Sequence, residues 1–170
     1  MLSAFLKRLL FARQFFIING KIEVLGVKQI MFPSALFLDL QEVDSKKVYS
    51  LAKKQLRQTM GVFGKKLGAS GEGLLKEVID IYETFGLGEL QVVDLDNKAK
   101  KALVRIHNSP IAEAALLEKS KSKTPVCVIT SGTLSGMFSY LFGVDVDAEE
   151  KFCALQKKDY CEFVIKSKKA

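Results

Sequence analysis

The chain is expected to fold as an α+β protein, an antiparallel sheet with packed helices. Three observations predict this. The 170 residues are 48% hydrophobic, with 12 Phe and only 3 Pro, which excludes a disordered or collagen-like chain and suffices for one core without disulfide staples. The hydrophobic period switches repeatedly between two and 3.6 residues along the chain. Turn signals join the extended segments pairwise as hairpins, with helices between the pairs, rather than in strict strand-helix alternation.

The first thirteen residues, MLSAFLKRLLFAR, place Leu2, Phe5, Leu6, Leu9 and Leu10 on one helical stripe, interrupted by Lys7, Arg8 and Arg13. No small-residue cleavage site follows, so this is read as an appended amphipathic helix and not a secretory leader. So short a helix packs on its own domain, on a second copy or on a membrane surface. A homodimer through this stripe is the expectation. Residues 14–170 are read as a single domain.

QFFIING and KIEVLGVKQIMFP read as extended, turning at Asn19-Gly20, a strong hairpin signal. From Asp44 or Ser45, the residues Val48, Leu51, Ala52, Leu56, Met60 and Phe63 recur at helical spacing until Gly68. Ser70 is read as the cap of a second helix with Leu74, Leu75, Val78, Ile79, Tyr82 and Phe85 inward, so that an αα-hairpin is expected. The intervening GKKLGASGEG fits no phosphate-loop pattern.

ELQVVDLD and KALVRIH form the second predicted hairpin around Asp96-Asn97, with Ala102, Val104 and Ile106 on one face and Arg105 and His107 on the other. Ser109 and Pro110 start a short helix, followed by a KSKSK loop. No charge occurs from Thr124 to Val144. That run meets the length of a membrane span, about 20 residues, but Thr130, Ser131, Thr133, Ser135 and Ser139 make it too polar. It is read instead as a buried helix starting at Thr124-Pro125, ended by Gly143, with Gly132 and Gly136 spaced for close helix contact. A third hairpin turns across Gln156 to Asp159.

The net charge of +7 raises the question of nucleic acid. Lys119, Lys121 and Lys123, and Lys166, Lys168 and Lys169, sit in short polar stretches without interleaved aromatics. Solvated lysines are expected, with neither nucleic acid nor a membrane as partner. An odd number of cysteines, 3, without a leader points to a reducing, cytoplasmic setting.

Cys153 and Cys161 flank the last turn, Glu150 precedes the first by three residues, and Cys127 opens the buried helix. These four are ligands of the kind tetrahedral Zn²⁺ accepts; on spacing alone, buried free cysteines remain the alternative. His107, the one histidine, could touch a ligand or replace Glu150, though a core-edge position is the commoner outcome. No nucleophile-base arrangement or dinucleotide fingerprint is present.

The closing segment CVITSGTLSGMFSYLFGVDVDAEEKFCALQKKDYCEFVI resembles the 4-vinyl reductase domain: a cysteine, a glycine-spaced helix, a strand ending in glutamate, and a hairpin closing in C-x-F. GKIEVLGVKQIMFPSALFLDL and RIHNSPIAEAA are similar to the preceding region in the input domains of phenol- and xylene-responsive regulators. The resemblance implies the fold of transport-particle vesicle-tethering subunits. It also implies one structural Zn²⁺ on Cys127, Glu150, Cys153 and Cys161, with no open position for catalysis.

It further implies an apolar small-molecule ligand, hydrocarbon or lipid-like, beside Ile106, Leu134, Met137, Phe138 and Ala148. Phenol sensors carry an aromatic shortly before the metal glutamate. Ala148 stands there instead, so a phenol is not the expected ligand. The regulators add ATPase and DNA-binding domains, and a chain of this length is expected to signal through a separate partner. The functional expectation is a non-catalytic, zinc-stabilised sensor or carrier module. A ligand-free dimeric scaffold, or an enzyme or accessory of tetrapyrrole vinyl reduction, are the alternatives.

Overall fold

A computed structural model describes residues 4–68, 72–118, 127–156 and 158–167. The elements follow in the order α1 (Ala4–Phe11), β1 (Phe15–Ile18), β2 (Lys21–Val24), β3 (Val27–Gln29), α2 (Ser34–Val43), α3 (Ser45–Leu67), α4 (Glu72–Thr84), β4 (Glu89–Asp96), β5 (Lys101–His107), α5 (Pro110–Leu117), α6 (Val128–Phe142), β6 (Val146–Phe152) and β7 (Tyr160–Ser167).

All pairings are antiparallel, but the strands form two sheets, β1-β2-β3 and β4-β5-β7-β6, where one was expected. The first hairpin turns at Asn19-Gly20 as predicted, and a second tight turn at Leu25-Gly26 breaks the run read as a single strand. The small sheet therefore stands apart.

Three further departures bear on the site. Residues 34–43, given no helix by the sequence, form α2. The partner of α3 is α6 rather than α4; α3 meets the end of α4 through Phe63 and Phe85, ring centroids 6.0 Å apart. The uncharged helix begins at Val128 with Cys127 as its N-cap. The expected start at Thr124-Pro125, the Ser70 cap, the KSKSK loop, Leu2, and the tail lysines Lys168 and Lys169 lie outside the described residues.

Close approach explains the α3–α6 pairing. A Cβ on Gly132 would stand 2.7 Å from the Tyr49 carbonyl, and one on Gly136 would collide with the Lys53 carbonyl. Backbone meets backbone there, which only glycine permits. Buried hydroxyls on α6 are satisfied locally. Ser135 donates to the Ser131 carbonyl at 2.7 Å and accepts from the Ala148 N–H at 2.8 Å, while Ser139 accepts from the Val146 N–H at 3.0 Å. These bonds tie α6 to β6. No described helix is long and apolar enough to cross a membrane.

The larger sheet buries Ala102, Val104 and Ile106 of β5 beside Phe163 and Ile165 of β7, in the predicted alternation. At the amino end, Phe5 and Leu9 are buried within this chain's own core, whereas Leu10 and Phe11 face outward. The chain itself thus covers two members of the stripe expected to meet a second copy.

Candidate metal centre and apolar pocket

Cys127, Glu150, Cys153 and Cys161 converge as anticipated, with their ligand atoms all within 4.8 Å of one another. Three elements deliver them. Cys127 caps α6, and Cys161 lies on the inward face of β7 opposite Ile106. Glu150 and Cys153 are three apart, a separation that in a regular strand puts side chains on opposite faces. A register shift in β6 between Glu150 and Phe152 inserts an extra residue, and the strand then ends, which lets both side chains reach one point.

The sulfurs are free thiols separated by 3.7 Å (Cys127–Cys161), 3.8 Å (Cys153–Cys161) and 3.9 Å (Cys127–Cys153). Such spacings are far beyond a disulfide, near 2.0 Å. They match the roughly 3.8 Å edges of a tetrahedron whose metal–sulfur bonds are about 2.3 Å. Glu150 Oε2 accepts the Cys127 N–H at 2.9 Å, while Oε1 is buried with no hydrogen-bond partner among the described residues. An unpaired buried carboxylate oxygen beside three thiols is an acceptor suited to a cation.

The electrostatics agree. Burial above all, then the neighbouring Cys153, pushes the Glu150 carboxyl up to about 8. Hydrogen bonds from Cys127 and Cys161 pull Cys153 down, so the cluster's negative charge settles there. Cys127 is driven up by its hydrogen bonds to Cys153 and Cys161 and by burial. Cys161 is lowered by Cys127 but raised by more through Cys153 and burial. Four groups that cannot all ionise together would do so around a cation, which inverts this balance. The donor set can therefore hold a metal ion. His107 lies elsewhere, edge-on to Tyr160 and 3.4 Å from Gln91 Oε1.

The five residues expected to line a ligand cavity are core instead. Ile106, Leu134, Met137, Phe138 and Ala148 are all buried, and none borders the apolar pocket. That pocket, about 340 Å³, lies between helices. Phe32 and Phe37 come from the entry to α2 and from α2 itself, Phe85 and Leu87 from the end of α4, Ile111 from α5 and Ile129 from α6. Thr130 and Thr133 of α6 and Ser34 of α2 supply its hydroxyls, and no charged side chain lines it. The sequence reading lacked this site because it lacked α2. The Pro33-Ser34 start was the available signal.

Residues 104–167 match the vinyl-4-reductase domain, the span that contains both the glycine-spaced helix and all four clustered ligands. This segment is a vinyl-4-reductase domain. Solved structures extend the likeness to the rest of the fold. The phenol-responsive sensory domain of the transcription activator PoxR, with phenol, aligns over 98% of this chain and 92% of its own, with a TM-score of 0.79 at 16% identity. A vinyl-4-reductase family protein from Methanocaldococcus jannaschii aligns over 83% and 85%, with a TM-score of 0.56 at 19% identity. A trafficking protein particle complex subunit 3 from Naegleria fowleri, covalently bound to palmitic acid, aligns over 80% and 95%, with a TM-score of 0.52 at 15% identity. At these identities the likeness is one of fold. No curated protein matches the chain in sequence.

Proposed function

We propose that this chain, with its vinyl-4-reductase domain, is a non-catalytic binding module for an apolar small molecule, stabilised by one structural Zn²⁺ on Cys127, Glu150, Cys153 and Cys161. The observation that carries the reading is the aromatic and aliphatic pocket between α2, α4, α5 and α6. Its volume lies at the small end of ligand sites, about 300–1,000 Å³. It presents no titratable side chain, which suits binding and offers no general acid or base. The likeness to a phenol sensory domain and to a palmitate-bearing subunit supports a fold that can be shaped around small apolar molecules.

Zinc is favoured by three thiols at tetrahedral spacing. When bound, it would neutralise the cluster and cross-link the start of α6 to the β6-β7 hairpin. Four protein ligands leave no coordination position for water, so the role is structural.

Two measurements test the proposal. Elemental analysis of purified protein is expected to give one zinc per chain; metal-free protein with an undiminished melting temperature removes the structural role. A panel of C6–C10 hydrocarbons and alcohols is expected to raise the melting temperature with saturation, and Ile129→Trp, which fills the pocket, is expected to abolish the rise while keeping zinc. A panel that shifts nothing refutes the binding reading.

A further inference from the structure

The apolar pocket is not uniformly apolar. Its inner wall carries two threonine hydroxyls on one turn of α6, Thr130 and Thr133. Thr133 Oγ1 donates its proton to the Thr130 carbonyl at 2.8 Å, which leaves its lone pairs to accept. Beside these threonines Tyr82 is fully buried, and its hydroxyl has no hydrogen-bond partner among the described residues. The two threonine side chains are near enough to influence it, yet the geometry closes no bond between them. Burial foremost keeps that phenol protonated, so it stands as an unspent donor. A buried donor without a partner is uncommon and costly in a native fold.

Charge is missing from the same wall. Among the described residues, aromatic, aliphatic, hydroxyl and glycine or proline groups complete the lining. An ionised ligand head would lose its water there and gain no counter-charge.

We infer that this pocket selects a neutral molecule with an apolar body and a single hydroxyl-type head, the head being taken by the Thr130, Thr133 and Tyr82 hydroxyl cluster. The inference rests on the binding reading above and adds the class of ligand. The apolar body lies among Phe32, Phe37, Phe85 and Ile129, and the head supplies what the hydroxyl cluster lacks. Carboxylates and amines are rejected by desolvation, and bare hydrocarbons bind less well because they leave the cluster unsatisfied.

The test compares three probes with one ring, benzyl alcohol, toluene and benzoate, by calorimetry on metal-loaded protein, with Ile129→Trp to establish that binding is at this pocket. Benzyl alcohol is expected to bind about fivefold tighter than toluene, the value of one net hydrogen bond, and benzoate to bind more weakly than both. Thr133→Val is expected to reduce benzyl alcohol to the level of toluene. Tyr82→Phe is expected to lower the preference for the alcohol while raising the melting temperature of the free protein, a pairing that a purely structural hydroxyl would not give.

Equal affinity for toluene and benzyl alcohol in the unsubstituted protein would overturn the head-group assignment and leave the apolar reading standing, as would a preference that survives both variants. Tightest binding by benzoate would overturn the assignment too. If none of the three binds up to its solubility, the binding reading itself fails and the assignment falls with it.

Discussion

Single side chains decide whether the cluster is a metal centre or three buried thiols. Replacing Cys161 by Ser removes one sulfur and leaves Cys127, Cys153 and Glu150 crowded around an incomplete site. Cys161→Ser is expected to carry less than 0.1 zinc per chain, on the order of a tenfold loss at least, and to melt more than about 5 °C lower, since 1 kcal/mol moves a domain of this size by about 2–4 °C. Tyr49 marks the contrast. Its hydroxyl donates to Asp147 Oδ1 at 2.7 Å and lies 2.7 Å from Ser135 Oγ, but both neighbours keep other partners, Lys53 Nζ at 2.6 Å and the Ala148 N–H at 2.8 Å. Tyr49→Phe is therefore expected to cost only about 1–2 kcal/mol in urea unfolding and to leave zinc content unchanged. The cysteines were legible in the sequence because residue type and hairpin spacing suffice to bring two of them together. What could not be read was the bulge that turns Glu150 and Cys153 to the same side, because β6 shows no glycine or proline to mark it.

At the scale of elements, the glycine pair of α6 was readable as a close-contact face, but its partner was not, because several amphipathic helices were equally eligible. The structure gives α3, and the pairing makes a signed prediction. Gly136→Ala drives a Cβ into the Lys53 carbonyl and to 3.0 Å from Arg57 N, backbone groups that cannot yield without separating the helices. The expected loss is about 1–3 kcal/mol. Gly73→Ala, in α4 with nothing within 4 Å of the added carbon, is expected to change stability in the opposite direction, by up to about 1 kcal/mol. Parallel thermal melts of the two variants check both signs. α2 escaped the sequence reading for a related reason. Residues 30–40 are apolar at most positions, and a run without a period does not distinguish strand from helix. Missing α2 meant missing the pocket, one wall of which it forms.

Across the whole molecule, α6 links the two sites. Its N-cap residue, Cys127, is a proposed metal ligand, and two residues later Ile129 lines the pocket while its N–H donates to Gln41 Oε1 of α2 at 3.1 Å. The first turn of α6 is thus held from one side by the metal cluster and from the other by the helix that forms the opposite pocket wall. Without metal, four crowded acidic groups surround the start of the helix, and the turn bearing Ile129, Thr130 and Thr133 loses its anchor. Ligand and metal should accordingly bind with positive coupling, and linkage requires the coupling to be reciprocal. Chelator-stripped protein is expected to bind benzyl alcohol about fivefold more weakly than the zinc-loaded form, the low end of typical couplings. Saturating benzyl alcohol should lower the zinc dissociation constant, measured by chelator competition, by the same factor. Equal ligand affinity with and without zinc, in protein that remains folded, would show instead that α6 is rigid enough by its packing on α3 and β6 to keep the two sites independent.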